Sequence, residues 1–335
     1  MARVREEREA SRPEGAQHLD DEERGREPER RHEPVARASG GSGPVRVGHH
    51  ADRSRFLLQF GIHHDRSLAL HGQRFHYTEW GDPTAPAVVL LHGITGHART
   101  WDDEARALAA RYRVLALDQR GHGDSDPAPD GDYTVTTMAA DLAAFADALR
   151  LRHFSVVGLS MGGRVAIAFA GSQPERVERL IVVDIGPDIA PGGRLRVGAM
   201  MAQTPERFDD LETAIAWART ANPRYTDTML RHRVVHGTRP VDGGLVWKYD
   251  RAIRDAVRSG RWRDPADLWP LWSAIACPTL VVRGAESDVL APETVKRMLA
   301  TNPHARLVEV DGAGHTVPGD QPAAFRRILV EFLAA

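Results

Sequence analysis

A glycine-rich turn around Ser160 constrains the fold of this chain more than any other feature. The apolar run at residues 154–157 leads directly into Gly158-Leu159-Ser160-Met161-Gly162, and a helical pattern follows at residues 160–170. A strand-to-helix turn this sharp holds the serine in a strained conformation, with its hydroxyl projecting from the carboxyl edge of a sheet. Side chains two residues before and after the serine would collide, so we expect that glycine is required at both positions.

The spacing Gly-x-Ser-x-Gly is only suggestive by itself, because a chain of this composition contains about 0.1 such matches by chance. Its position between a predicted strand and a predicted helix makes it specific. Serine is a poor nucleophile unless a base removes its proton. Ser160 is therefore our candidate nucleophile, and the alternative is a glycine-rich turn without chemistry.

Apolar runs and helical patterns alternate along most of the chain. Six runs are typical of strands buried on both faces, at residues 87–91, 114–117, 154–157, 180–183, 280–282 and 306–310. Residues 74–80 alternate between polar and apolar and predict an antiparallel edge strand. Helical patterns lie between the runs, at residues 101–110, 136–149, 160–170 and 292–300. This order predicts an α/β fold, with a mostly parallel sheet and helices on both faces.

Residues from about 187 to 273 interrupt the alternation, because they carry helical patterns without a buried-strand run. Five of the seven tryptophans lie here: Trp217, Trp247, Trp262, Trp269 and Trp272. We interpret the segment as a helical cap inserted into a core formed by residues 61–186 and 274–335. The tryptophans either line an apolar acyl pocket or pack within the cap.

Residues 1–60 differ in composition from the rest of the chain. The first 50 residues contain runs of Arg with Glu or Asp, a glycine-serine stretch at 39–43 and no aromatic residue. Such a segment cannot bury enough apolar surface to offset the entropy of ordering it. We predict a disordered, charged N-terminal tail, with a partner-binding or transiently helical arm as the alternative.

His315 is the candidate base for Ser160. It follows the last predicted strand in a loop whose glycines, at 312 and 314, let an imidazole reach back over the sheet edge. The base needs a carboxylate to orient it, and in a fold with such a serine turn the acid precedes the histidine in the chain. Asp288, which follows the run at 280–282, is our choice. Glu286 and Asp184 remain alternatives.

Two backbone N–H groups are candidates for binding an oxyanion. The N–H of Met161 follows Ser160 at a helix N-terminus, where the dipole favours negative charge. The N–H of Ile94 belongs to the loop after the first buried strand. His92 is expected to brace this loop and to transfer no proton. Four arginines are candidates for binding a substrate carboxylate, and a solvated surface position is the alternative for each: Arg194, Arg196, Arg224 and Arg231.

Composition excludes several classes of protein. The formal net charge is −2, so no global field attracts nucleic acid or an anionic membrane. No stretch approaches the roughly 18 apolar residues of a membrane span, and we find no apolar segment typical of a signal peptide. Cys277 is the one cysteine, which excludes an intrachain disulfide and fits a reducing compartment. Its place at the start of an apolar run predicts a buried, inert thiol. We predict a cytoplasmic protein that acts on a small-molecule substrate and binds no metal, nucleic acid or membrane. The oligomeric state stays open.

The sequence resembles the α/β-hydrolase superfamily over about residues 70–335. Six landmarks occur in the family's order: Leu91-His92-Gly93, residues 118–125, the Ser160 turn, Val183-Asp184, residues 284–288 and Gly314-His315. The resemblance implies an eight-stranded, mostly parallel sheet with a lid after the sixth strand, and no cofactor. It also implies that residues 118–125 form a structural loop without a catalytic role.

Ser160 separates this chain from the haloalkane dehalogenases and epoxide hydrolases of that superfamily, which use aspartate at this position. The resemblance implies hydrolysis of a small-molecule carboxylic ester through Ser160, His315 and Asp288, with an acyl-enzyme intermediate. One alternative is an enol-lactonase or a C–C bond hydrolase that uses the same residues. An alternative of another class is a non-catalytic ligand-binding or interaction protein of the same fold.

Overall fold

The computed structural model describes residues 63–259 and 266–335. The predicted tail at 1–60 and Trp262 lie outside the described residues. Ten strands lie in these two stretches: β1 (His64–Leu70), β2 (Gln73–Trp80), β3 (Ala87–Leu91), β4 (Arg113–Leu117), β5 (Phe154–Leu159), β6 (Val177–Val183), β7 (Thr238–Val241), β8 (Gly244–Trp247), β9 (Thr279–Gly284) and β10 (Ala305–Val310). The same stretches contain eleven α-helices: α1 (Asp102–Leu108), α2 (Val135–Ala148), α3 (Met161–Ser172), α4 (Pro191–Gln203), α5 (Leu211–Ala221), α6 (Asp227–Gly237), α7 (Arg251–Arg258), α8 (Trp269–Ala274), α9 (Pro292–Thr301), α10 (Val317–Asp320) and α11 (Pro322–Ala334).

Eight strands form one sheet in the order β1-β2-β4-β3-β5-β6-β9-β10. The six strands from β4 to β10 in this order run parallel, while β2 is antiparallel to β4 and β1 is antiparallel to β2. The eight-stranded, mostly parallel sheet is therefore confirmed. The prediction that residues 74–80 form the edge is wrong, because β1 covers that side. We missed β1 because most of its side chains are polar or exposed, which leaves no buried pattern to detect.

Apolar side chains cover both faces of the sheet. In β3, Val89 and Leu91 belong to the core cluster that contains Phe145 of α2, whereas Val88 and Leu90 face the opposite cluster. That opposite cluster includes side chains from α1 and α11. Burial of each such side chain stabilises the fold by about 1.5–3 kcal/mol. The sheet edge that carries the Ser160 turn is thus built on a core packed from both sides.

Five helices, α4 to α8, and the hairpin β7–β8 lie between β6 and β9 in the described part of the chain. We call residues 187–273 the inserted segment. Its helices agree with the sequence patterns, but the antiparallel hairpin was not predicted. Each strand of the hairpin has only four residues, and only one of these eight residues is buried. The segment has its own apolar cluster around Phe208, Leu230 and Val234. Its assignment as a separate cap stays a prediction.

No helix in the described part of the chain is both long enough and apolar enough to cross a membrane.

Candidate active site

Ser160 lies in the turn that joins β5 to α3, and its backbone adopts φ 54° and ψ −116°. A non-glycine residue with positive φ costs about 1–3 kcal/mol and persists only where its surroundings impose it. A Cβ at Gly158 would lie 2.3 Å from the carbonyl oxygen of Gly162, and a Cβ at Gly162 would lie 2.4 Å from that of Leu91. The need for glycine at both positions is confirmed. The second collision is with β3 rather than within the turn.

A chain of hydrogen bonds connects Ser160, His315 and Asp184. The Oγ of Ser160 lies 2.9 Å from Nε2 of His315, and Nδ1 of His315 lies 2.8 Å from Oδ2 of Asp184. Because a carboxylate only accepts, Nδ1 carries the proton and Nε2 is free to accept from the serine hydroxyl. The structure thus brings together Ser160 and His315 as the sequence suggested. Their catalytic role stays a prediction.

The position of Asp184 follows from the register of the sheet. Leu159 of β5 pairs with Val183 of β6, so the residues that follow them, Ser160 and Asp184, emerge side by side at the carboxyl edge. Asp184 is fully buried. Its carboxylate also accepts hydrogen bonds from the N–H of Gly284 at 2.9 Å and from the hydroxyl of Ser287 at 2.5 Å. Buried charges need such donors, because an unsatisfied carboxylate away from water is costly.

The prediction that Asp288 orients His315 is wrong, because Asp184 makes that hydrogen bond. The Asp288 carboxylate accepts from Nε of Arg196 at 2.7 Å, and its side chain is 43% exposed while that of Asp184 is 0% exposed. Burial raises the pKa of Asp288, but the hydrogen bond and charge of Arg196 outweigh it and hold this pKa below its ordinary value. Glu286 forms an ion pair with Arg224.

The loop after β9 supports the acid instead of carrying it. Gly284 and Ser287 donate to Asp184, and the Ser287 hydroxyl in turn accepts from the N–H groups of Val289 and Leu290 at 3.1 and 3.2 Å. The signal that could have identified Asp184 was its place directly after a buried strand. Sequence alone does not reveal that this strand is the neighbour of β5.

The loop after β3 passes close to Ser160. A Cβ at Gly93 would lie 3.3 Å from Cβ of Ser160, and Ile94 lines the same cavity as Ser160. His92 braces this loop, as predicted: its Nδ1 donates to the carbonyl of Gly93 at 2.8 Å, and its Nε2 accepts from the N–H of Gln119 at 3.1 Å. Burial lowers the pKa of His92, so it is neutral. The oxyanion roles of the Ile94 and Met161 amides stay predictions.

The loop at residues 118–125 is organised around buried Asp118. Its carboxylate accepts from Nδ1 of His76 at 2.7 Å, from the N–H of Ala98 at 2.5 Å and from the N–H of Asp124 at 2.9 Å. Burial raises the pKa of Asp118, but the hydrogen bond from His76 and the positive charge that this imidazole can carry outweigh it and lower this pKa to about 2. These contacts support a structural role for the loop.

One group of residues in the described ranges places three potential metal-ligand atoms within 4.8 Å of one another: His76, Asp118 and Asp124. Both nitrogens of His76 already have carboxylate partners, Asp118 and Asp65. The Asp124 carboxylate binds Nζ of Lys248 at 2.8 Å. Hydrogen bonds and ion pairs among the described residues therefore account for this cluster.

Ser160 and His315 line a cavity of about 420 Å³. Residues of the inserted segment provide much of its apolar lining, including Val197, Met200, Trp217, Trp247 and Tyr249. The predicted tryptophans thus divide into two groups. Trp217 and Trp247 line the cavity, whereas Trp272 is fully buried and Trp269 stacks under the guanidinium of Arg297 at 3.7 Å.

The predicted arginines also divide. Arg196 and Arg224 line the cavity. Arg231 forms an exposed ion pair with Glu212 at 2.6 Å, and Arg194 is exposed. Arg233, which sequence reasoning did not single out, lines the cavity as well. Cys277 is buried, and burial raises the pKa of its thiol, as expected for an inert side chain.

Comparisons with known proteins identify the family. Residues 86–322 match the model of a family described as alpha/beta hydrolase fold. A 3-hydroxybutyrate-oligomer hydrolase of Cupriavidus necator is 35% identical over 267 residues, which cover 75% of this chain and 89% of that protein. An esterase of Mycobacterium tuberculosis is 32% identical over 259 residues, which cover 75% of this chain and 83% of that one.

The crystal structure of E-2-(acetamidomethylene)succinate hydrolase has a TM-score of 0.74 with this chain at 26% sequence identity, and the match covers 82% of this chain and 100% of the other. The chain therefore belongs to the α/β-hydrolase family. The names of these relatives support hydrolase activity.

Proposed function

We propose that this protein is a serine hydrolase that cleaves small-molecule carboxylic esters, with Ser160 as nucleophile, His315 as general base and Asp184 as the orienting acid. The unbroken hydrogen-bond chain from Ser160 through His315 to Asp184 carries this proposal. Each contact lies within the range of a nucleophile-base or base-acid hydrogen bond. This series of hydrogen bonds ends at Ser160 in the wall of a cavity of about 420 Å³, which is large enough for a small molecule.

In the first half of the reaction, Oγ of Ser160 attacks the ester carbonyl carbon while Nε2 of His315 takes the hydroxyl proton. The carbonyl oxygen becomes an oxyanion, which the N–H groups of Ile94 and Met161 stabilise. Nε2 then gives its proton to the leaving alkoxy oxygen as the C–O bond breaks. Ser160 is left as an acyl ester and the alcohol departs.

In the second half, water attacks the acyl carbon and His315 accepts its proton. The tetrahedral intermediate collapses, the proton returns to Oγ of Ser160, and the carboxylic acid is released. Asp184 remains ionised throughout and stabilises the imidazolium that forms in each half. The donors from Gly284 and Ser287 keep its carboxylate in place.

Two of the relatives support an ester as the scissile group, since one is named an esterase and another is named for 3-hydroxybutyrate oligomers. The same three residues can also serve an enol-lactonase or a C–C bond hydrolase, so the substrate panel must include all three bond types. A binding protein without turnover would require none of the hydrogen bonds that connect Ser160 to Asp184.

The test is a panel of p-nitrophenyl esters of graded acyl length, assayed beside an enol lactone and a C–C diketone, with the native protein and Ser160→Ala. We expect ester turnover with an initial burst of p-nitrophenol, and no turnover by the variant. Cleavage of the diketone without cleavage of any ester would show that the protein hydrolyses a C–C bond and not an ester bond. Equal turnover by Ser160→Ala, or no labelling of the native protein by a fluorophosphonate probe, would contradict the serine hydrolase itself.

A further inference from the structure

Arg233 lies beside the loop that faces Ser160. It belongs to α6 of the inserted segment, and its side chain is half-buried. Its Nη2 lies 3.4 Å from Oγ1 and 3.5 Å from the carbonyl oxygen of Thr95, the residue after Ile94. The carbonyl of Arg233 accepts a hydrogen bond from Nε2 of His97 at 3.1 Å. These contacts place its guanidinium in the wall of the cavity that contains Ser160 and His315.

The other two arginines of this cavity are neutralised by protein carboxylates. Arg196 pairs with Asp288, and Arg224 pairs with both Glu286 and Asp320. Arg233 differs, because no carboxylate of residues 63–259 or 266–335 forms an ion pair with it within 4.0 Å. Its contacts with Thr95 are long for hydrogen bonds of a guanidinium.

Arg233 also lines a smaller neighbouring cavity of about 160 Å³, whose acidic residues do not neutralise it either. Asp102 is bound by Arg99 and His232, and Asp103 is bound by Arg106 and Arg326. The third acid, Glu104, is buried, and burial raises its pKa to about 8. It is therefore mostly uncharged at neutral pH.

A half-buried guanidinium without a counter-ion is costly, because its charge has lost part of its hydration. Arginine presents a planar fork of N–H donors that matches the two oxygens of a carboxylate. We propose that Arg233 binds a carboxylate of the substrate, so that the substrates of this hydrolase are esters that carry a free carboxylate group. This inference rests on the proposed function and assigns a substrate class to the same site.

Matched substrates test it. One pair is the mono-p-nitrophenyl ester of adipate and the equivalent ester whose free carboxylate is replaced by a carboxamide. A second pair carries the carboxylate or carboxamide on the alcohol part, as the acetyl ester of 4-hydroxybutanoate and of its amide. The two members of each pair differ in charge but have almost the same size and connectivity.

For at least one pair, we expect the native protein to favour the carboxylate over the carboxamide by about tenfold or more in kcat/KM. Arg233→Gln is expected to lower kcat/KM for the carboxylate by about 10- to 100-fold, mainly through KM, and that for the carboxamide by less than about threefold. Arg233→Lys should restore part of the preference. Arg231→Gln is the matched control, since Arg231 lies on the same helix in an exposed ion pair, and it should leave the preference unchanged.

A second readout does not depend on turnover. Adipate should slow fluorophosphonate labelling of Ser160 in the native protein and in Arg231→Gln, but not in Arg233→Gln, and adipamide should slow it in none of them. A preference for the carboxamide, or a carboxylate preference that Arg233→Gln retains, would overturn the inference while labelling of Ser160 upholds the hydrolase. Absence of both ester turnover and labelling in the native protein would overturn the proposed function and this inference together.

Discussion

The carboxyl edge of the sheet and the inserted segment hold their polar residues in different ways. At the sheet edge, Ser160 and Asp184 are placed by strand register, and the Asp184 carboxylate is fixed by a backbone N–H. In the inserted segment, Arg196 and Arg224 reach the cavity on long side chains and are held by partly exposed ion pairs. Exposed ion pairs each contribute only about 0–1 kcal/mol. Groups that perform the proposed chemistry are thus fixed by the backbone, whereas the cavity-lining arginines of the inserted segment can change without disturbing the sheet.

The largest difference between the two regions is expected in turnover. Ser160→Ala and His315→Ala should each lower kcat by about 10⁴- to 10⁶-fold, and the double variant by little more, because the two residues act as one unit. Arg196→Gln in the inserted segment should change kcat by less than about tenfold. Steady-state kinetics on the best ester of the panel measures all four. Losses from Ser160→Ala and His315→Ala that simply multiply would show that the two residues act independently.

Glycine-to-alanine substitutions should change the free energy of unfolding in opposite directions in the two regions. Gly162→Ala places a Cβ 2.4 Å from the carbonyl oxygen of Leu91, so we expect it to lower the free energy of unfolding by at least about 1–3 kcal/mol. A Cβ at Gly198, within α4, would meet no atom within 4 Å. Gly198→Ala should therefore raise this free energy by about 0.5–1 kcal/mol, since alanine loses less entropy in a helix.

Urea unfolding of both glycine variants beside the native protein provides the measurement. Equal and small effects at the two positions would contradict the close approach of α3 to β3 that the site requires.

Acidic side chains should likewise affect stability differently in the two regions. Burial raises the pKa of Glu104, on α1 of the core, to about 8, so the folded protein retains a proton that the unfolded chain has already lost. Its contribution is constant below about pH 4.5, and the free energy of unfolding then falls as the pH rises towards 8. Glu104→Gln lacks this dependence, so its stability relative to the native protein should increase over that range.

Glu212 is the matched control, because it lies in the inserted segment in an exposed ion pair with Arg231. Glu212→Gln should follow the native protein with an offset below about 1 kcal/mol at every pH. Urea denaturation at pH 5, 6.5 and 8.5 separates the three proteins. Parallel behaviour of Glu104→Gln and the native protein would mean that Glu104 ionises normally in the fold.

The same division explains what the sequence could predict. Ser160 and His315 stand in short motifs next to apolar runs, so local pattern and sheet geometry were enough to find them. Asp184 was only an alternative, because its proximity to His315 depends on which strands are neighbours in the sheet. The polar strand β1 and the four-residue strands of the hairpin lack any buried periodicity. Arg233 was missed because the lack of an ion-pair partner for it among residues 63–259 and 266–335 is a property of tertiary packing, which sequence spacing does not encode.

Identifying the acid is the most direct test of whether Ser160, His315 and Asp184 act as one unit. The rate at which a fluorophosphonate labels Ser160 in variants of each candidate acid provides this test without knowledge of the substrate. Asp184→Asn should lower this rate by at least about 100-fold, because the imidazole loses the carboxylate that orients and stabilises it. Asp288→Asn, which removes only a partly exposed ion pair with Arg196, should leave the rate within about threefold of the native value. A large loss of labelling in Asp288→Asn, with near-native labelling in Asp184→Asn, would contradict the assignment.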